Sequence, residues 1–520
     1  MWVARTHALP SNPTNPFHLC TGGRVGIISL DEFVGALGRR RILIAVIGIL
    51  LAALVLRLVN IGWSYSNNGV DEGVMIERAL MVSRGYSLYT ELPCDQAPAA
   101  FIVGSLFSGD VISLRLLTAL VSLAAVACCM FVSNRVAGGT AMVVTGALLA
   151  VDFTFVRESR LFSLDALSAS LMAFSVLAFV MSQRRERVPW LAVSGLLIGL
   201  SASFKLIGGI GLLGMLVFIV IEGIANRETR RASLVNGVVV TLTSAIPLAV
   251  FMFLLGPSDL LQGMVFDQAH RDFEMFLKLS VLAFFGLSIV YALPLLYARK
   301  IWRMGPSHRF LLCVATVVLL FMVLQPLTFL HHMAFASPVL AILAGVVVAS
   351  ESGPRNGDVT QRSERFEPNR GRRRKACYAA VLISLLVSGG LSAYGIAAQE
   401  EPAQIAYGRL LSEMTTPDQF VICGDPIIAA YADREMPPEV VNVAERQYPE
   451  MDFDRIRSAV VEYDVAVVVV CYFLNDIDEL AEFLADEGFS LYSPDGLGAD
   501  NWAVLDLFQE SIEPVSFYVR

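Results

Sequence analysis

Charge is what this sequence lacks most. Only 17% of its 520 residues are Asp, Glu, Lys or Arg against 55% hydrophobic, and the mean hydropathy is +0.62. A soluble globular chain carries about 25% charged residues. Lysine is nearly absent, found only at Lys205, Lys278, Lys300 and Lys375. The eight cysteines include no CxxC pair, and Cys128, Cys129, Cys313 and Cys377 fall in apolar runs, where Cys is a small filler. Cys94, Cys423 and Cys471 remain for a disulfide, and their spacing does not favour one. No GxxxxGK[ST] phosphate loop occurs, and no adequate apolar stretch precedes Arg39-Arg40-Arg41, so no cleaved signal peptide is expected. Together these absences exclude a soluble enzyme, a nucleic-acid binder and a disordered chain.

What the sequence has instead is long apolar runs. They recur from Arg41 to Ala397, and each approaches the roughly 20 residues that span a bilayer core. Eleven spans are expected, near 42–62, 111–132, 140–156, 161–181, 190–204, 206–225, 233–255, 277–298, 310–328, 332–350 and 377–397. The fold class is therefore a polytopic α-helical membrane protein. Residues 1–41 form an N-terminal segment, 42–397 the membrane domain with a long first loop at 63–109, and 398–520 a separate tail.

Basic residues set the expected orientation. With Arg39–Arg41 inside, the inner segments hold 24 Lys and Arg and the outer loops seven. That arrangement makes the N-terminus cytoplasmic and the tail extracytoplasmic. From Gln399 onward there are 25 acidic residues, six Arg and no Lys, so an acidic tail sits on a basic membrane body. Its β-type runs Phe420–Cys423, Val465–Tyr472 and Trp502–Leu507 alternate with helical patterns at Gln404–Met414, Asp454–Tyr463 and Asp476–Glu487, which is a small α/β domain. The segment Glu351–Lys375 reads as a polar cytoplasmic loop. In the first loop, Asp71–Arg84 has an apolar side and a polar stripe with Glu77 and Arg84, as expected of a helix lying on the membrane surface.

Ionisable residues in or beside a membrane are costly and mark function. Here they gather toward the outer side: Arg57 and Arg115 in the outer parts of their spans, Asp165 near the end of another, and Arg157, Arg160, Lys205, His331 and His332 on short turns. Asp71, Glu72 and Asp95 join them from the first loop. Each has a plainer alternative. Asp71 suits a helix N-terminus, the basic residues suit headgroup anchoring, Asp165 suits a pair with Arg160, and His331-His332 is a poor metal site because adjacent helical residues diverge.

The run Val70-Asp71-Glu72-Gly73, followed by Gly85-Tyr86-Ser87-Leu88-Tyr89 and Asp95-Gln96-Ala97-Pro98, resembles glycosyltransferase family 39. This family includes protein O-mannosyltransferases and aminoarabinose transferases of the GT-C fold. The segment Arg157-Glu158-Ser159-Arg160-Leu161-Phe162-Ser163-Leu164-Asp165 is similar to the family's Ser-Arg…Leu-Asp stretch. Arg115-Leu116, Lys205-Leu206 and His331-His332…Pro338 fall where similar residues occur, and the likeness covers about residues 42–350. Asp95-Gln96-Ala97-Pro98 departs from the Lys-Pro-Pro-like stretch of many relatives.

The resemblance implies a GT-C-type membrane enzyme that moves a sugar from a polyprenyl-phosphate carrier to an acceptor hydroxyl, with inversion. The acceptor would be a protein, lipid or glycan, and membrane lipids and the lipid-linked donor are the expected partners, with no nucleic acid. Asp71 would be the general base and Glu72 would orient a sugar. Arg157, Arg160 and Lys205, with Arg115 and Arg57 behind them, would hold the donor phosphate. No cofactor is expected, and a divalent metal is left open. A flippase of lipid-linked glycans fits less well, because the chain has no inverted repeat and no charged site at mid-membrane. An oligosaccharyltransferase-like enzyme lacks support from any tryptophan-rich WWD-type motif in the tail.

Overall fold

The computed structural model describes residues 30–64, 69–183, 187–225, 228, 230–266, 275–352, 370–441, 449–477, 479–492 and 515–520. It divides into a short N-terminal unit, Met1–Ile44, and a large unit, Ala45–Arg520. The described part of the first unit is the opening of helix Leu30–Leu58.

Nine described helices are long and apolar enough to cross a membrane. The other two expected spans take different forms. Met275–Phe285 and Ile289–Leu296 are bent by 99° at a short break, so this run is either a broken span or a re-entrant loop. Gly139–Val151 is a helix of 13 residues, about 20 Å at 1.5 Å per residue, short of the bilayer core. It ends because Asp152 starts a new helix, Phe153–Glu158, by accepting the Phe155 N–H at 2.8 Å.

Small residues let the membrane helices approach. Helix Leu164–Ser182 packs on Arg187–Phe204, with Ser168 bonded to Ser201 and Ser175 to Ser194. The opposite side of Arg187–Phe204 meets Arg230–Leu255 through glycines. A Cβ on Gly195 would lie 1.9 Å from Thr243 Oγ1, and one on Gly199 would lie 2.1 Å from the Ser244 carbonyl oxygen. Small-residue contacts of this kind suit lipid, where burial of apolar area gives helices no drive to associate. Ala336–Glu351 is buried along nearly its whole length, whereas Arg230–Leu255 exposes Leu242, Val250, Phe253 and Leu254.

The tail alternates helices with the strands of a small sheet. Helix Ala403–Met414 leads to strand β1 (Phe420–Cys423), then helices Pro426–Ala432 and Pro449–Glu462, and strand β2 (Val465–Val470). Helix Leu480–Asp486, strand β3 (Ser490–Tyr492) and strand β4 (Ser516–Val519) follow. The sheet order is β1-β2-β4-β3, with β1 parallel to β2 and the other pairs antiparallel. All six residues of β2 are buried, as a central strand with both faces covered requires. The expected run Trp502–Leu507 lies outside the described residues. None of the seven described cysteines is in a disulfide, and all are buried.

Candidate functional site

The site is assembled where helices begin. The loop helix Gly69–Ser83 carries Asp71 and Glu72 in its first turn. Asp71 is exposed, and Glu72 is turned inward. There Glu72 forms a two-pronged ion pair with Arg115, whose Nε and Nη2 donate to its carboxylate at 2.9 and 2.7 Å. The Phe162 N–H also donates to Glu72 Oε1, at 2.8 Å. Arg115 Nη1 reaches the carbonyls of Ile61 and Gly62, both at 3.1 Å. Arg115 is held one turn inside helix Val111–Ala137, whose N-terminus Asp110 caps by accepting the Ser113 N–H at 2.7 Å. The pair therefore ties the backbone beside Asp71 to the segment containing Arg160 and Phe162.

That segment is a stub bounded by two caps. Asp152 starts Phe153–Glu158, and Ser163 starts Leu164–Ser182 by accepting the Ala166 N–H. The break leaves Arg157, Glu158, Arg160 and Asp165 within a few residues of one another. Arg157 pairs with Glu158 at 3.0 Å, and the Ser163 hydroxyl donates to the same carboxylate at 2.7 Å. Burial raises the Glu158 carboxyl above its usual value, with Arg157 opposing the rise. Lys205, in extended backbone between two helices, donates to Asp165 at 2.6 Å. The partner of Asp165 is thus Lys205 and not Arg160. His331 and His332, on the 3-10 helix Leu330–Phe335, complete the cluster: their ring nitrogens and an Asp165 oxygen all lie within 4.8 Å of one another. Arg157 and Lys205 keep part of their surface open, 14% and 16%.

The other sequence candidates go elsewhere. Arg160 donates to the Leu56 and Asn60 carbonyls at 2.8 and 3.3 Å and to the Gln399 side chain at 2.8 Å, joining the first span to the start of the tail. Burial lowers its guanidinium to about 10. Arg57 bonds Ser122 at 2.9 Å and the Ala53 carbonyl at 3.1 Å, and lies over the Phe155 ring. Asp95 pairs with Arg78 at 3.1 Å. Glu158 was visible in the sequence only as an ionisable neighbour of Arg157, and Arg78 only as one of the seven basic residues counted in the outer loops.

The loop helix does not have the free face expected of a helix on a membrane surface. The tail covers it. The tail helix Pro426–Ala432 lies against it so closely that a Cβ on Gly73 would sit 2.4 Å from the Ile427 nitrogen. The expected polar stripe meets the tail as well. The Met436 N–H donates to Glu77 at 3.0 Å, and Arg84 pairs with Asp433 at 2.7 Å and Glu435 at 3.0 Å. Burial raises the Glu77 carboxyl from 4.5 to about 8.

Comparison with known proteins gives a consistent picture. Residues 99–252 match the family model described as dolichyl-phosphate-mannose-protein mannosyltransferase. No curated protein matches the sequence. The fold is similar to that of ArnT from Cupriavidus metallidurans in the apo state, with a TM-score of 0.62, 15% identity, and 92% of this chain and 98% of that chain covered. The same protein bound to undecaprenyl phosphate gives 0.62 and 14%, covering 91% and 97%. The archaeal oligosaccharyltransferase AglB from Archaeoglobus fulgidus, in complex with an inhibitory peptide and a dolichol-phosphate, gives 0.56 and 14%, covering 88% and 74%. The likeness to ArnT extends over nearly the whole chain, well past the 42–350 expected from motifs. The chain is a membrane protein of the GT-C fold, and residues 99–252 match the mannosyltransferase family model.

Proposed function

We propose that this protein transfers a sugar from a polyprenyl-phosphate carrier to an acceptor hydroxyl at the outer face of the membrane, with inversion at the anomeric carbon. The acceptor oxygen attacks the anomeric carbon as the bond to the carrier phosphate breaks, and Asp71 takes the hydroxyl proton. The observation that carries this reading is the division of labour between neighbouring carboxylates. Glu72 is consumed by Arg115 and the Phe162 N–H, whereas Asp71 is exposed at the same helix start. A general base must reach its proton, and a rigid neighbour fixes where it points.

The leaving phosphate gains negative charge as the sugar departs. Arg157 and Lys205 suit it best, because both are partly open and sit on the Glu158–Asp165 cluster. Arg160 and Arg115 spend their donors on carbonyls and side chains of the fold, and Arg57 is fully buried against Ser122 and Ala53 with Nη2 left over, so all three act from behind as positioning residues. Glu72 takes the same supporting role. The N-terminus is cytoplasmic and the tail extracytoplasmic in this reading, which the 24-to-seven bias of basic residues supports.

The likeness to AglB raises a second reading, transfer of an oligosaccharide to a peptide. The tail contains a single tryptophan, Trp502, which gives no tryptophan-rich acceptor motif. The test is transfer by the purified protein in liposomes supplied with labelled polyprenyl-phosphate sugar and a membrane extract as acceptor source. Release of polyprenyl phosphate together with labelled product is expected. Transfer from a nucleotide sugar with no lipid carrier present would overturn the proposal.

A further inference from the structure

We propose that Asp165, His331 and His332 form a binding site for one divalent transition metal of the zinc type. The donor set is one carboxylate and two imidazoles, which suits zinc and its borderline-soft neighbours and does not suit magnesium or calcium. Their ligand atoms already lie within 4.8 Å of one another. Tetrahedral zinc with bonds near 2.1 Å holds its ligand atoms about 3.4 Å apart. Closing the difference takes about an ångström of side-chain movement.

Three features go beyond the presence of ligating residues. The first is Asp165 itself. Its side chain is 7% exposed, and Lys205 occupies Oδ2, yet Oδ1 has no hydrogen-bond partner. An unsatisfied carboxylate oxygen in such a place is destabilising, and a metal ion satisfies it. Lys205 would then serve as the outer partner that fixes the ligand's direction.

The second feature is the histidine pair. Adjacent helical residues should diverge, but these rings meet edge to face, with centroids 4.5 Å apart and planes crossed at 88°. Phe329 lies stacked on His331 at 5.3 Å and edge-on to His332 at 5.6 Å, which holds the two rings together.

The third feature is the support behind His332. Its Nδ1 lies 3.2 Å from the buried Gln325 side-chain amide. The same amide nitrogen donates to Thr328 Oγ1 at 3.2 Å, and the Phe329 N–H meets Nδ1 at 3.3 Å, so the His332 ring is held in one direction from behind. Three protein ligands leave a fourth position for water or a phosphate oxygen. The site does not depend on the transferase reading, because its evidence is ligand chemistry alone.

The test uses the full chain in detergent, purified without a histidine tag, stripped with chelator and titrated with Co²⁺ and then Zn²⁺. Tetrahedral Co²⁺ absorption in the visible, displaced by one equivalent of Zn²⁺, is expected. Asp165→Asn and His331→Gln should each weaken binding about tenfold or more, whereas His308→Ala, on helix Pro306–Leu324, should not. Metal-free melting of each variant shows whether it is folded, and a third variant, Gln325→Ala, tests the support behind His332 with all three ligands intact. No cobalt signal in the parent protein would overturn the proposal. So would folded Asp165→Asn and His331→Gln variants that bind Zn²⁺ as tightly as the parent.

Discussion

Glu77 should make the docking of the tail dependent on pH. Its side chain has no exposed surface, one oxygen accepts the Met436 N–H at 3.0 Å, and Oε2 has no partner. Burial is the largest cause of its raised value of about 8; the Met436 N–H and Arg84 lower it, and Glu435 and Asp433 raise it further. A carboxyl whose folded value lies above its unfolded 4.5 stabilises the docked form most below pH 4.5 and loses that contribution as pH rises through about 8. At about 1.4 kcal/mol per pH unit, roughly 2–3 kcal/mol of docking free energy is lost between pH 6 and pH 9. Glu77→Gln mimics the protonated carboxyl, so it should be nearly silent at pH 6 and should stabilise at pH 9. Hydrogen exchange of helix Gly69–Ser83 and of Met436, corrected for the intrinsic rate at each pH, reads the docking. Equal pH dependence in the parent and in Glu77→Gln would refute the reasoning.

Two further predictions concern the pair behind Asp71 and the orientation of the chain. Arg115→Met strands the buried Glu72 carboxylate and should cost about 3–5 kcal/mol, with much of the loss recovered in Glu72→Leu/Arg115→Met; equal melting temperatures for the single and double variants would contradict this. In a Cys20→Ser background, where the other native cysteines are buried, Arg372→Cys and Ser490→Cys should react with a membrane-impermeant thiol reagent from opposite sides. Labelling of both from one side would reject the proposed orientation.

Nine of the eleven spans expected from hydropathy are membrane-length helices among the described residues, but hydropathy cannot report geometry within a run. It is blind to the 99° bend between Phe285 and Ile289 and to the cap at Asp152 that shortens Gly139–Val151. The candidate site was legible as residue types and not as partnerships. Glu72 and Arg115 are 43 positions apart, and Asp165 and Lys205 are 40 apart, so only the packed fold shows that they neutralise each other. The stripe of Glu77 and Arg84 was read correctly as polar. Its partner was not legible, because a membrane surface and the docked tail demand the same amphipathic pattern. His331 and His332 converge through side-chain torsions set by Phe329, which no count of residues per turn predicts.

The central claim is that Asp71 removes the acceptor proton. The most direct measurement is the single-turnover rate of polyprenyl-phosphate release by purified Asp71→Asn beside the parent, at saturating lipid-linked donor. Asn keeps the shape and the capacity to cap a helix while removing the basicity. The account predicts a fall of roughly 10²-fold or more with an unchanged melting temperature. A rate within about twofold of the parent would contradict it, because general-base removal costs far more than that.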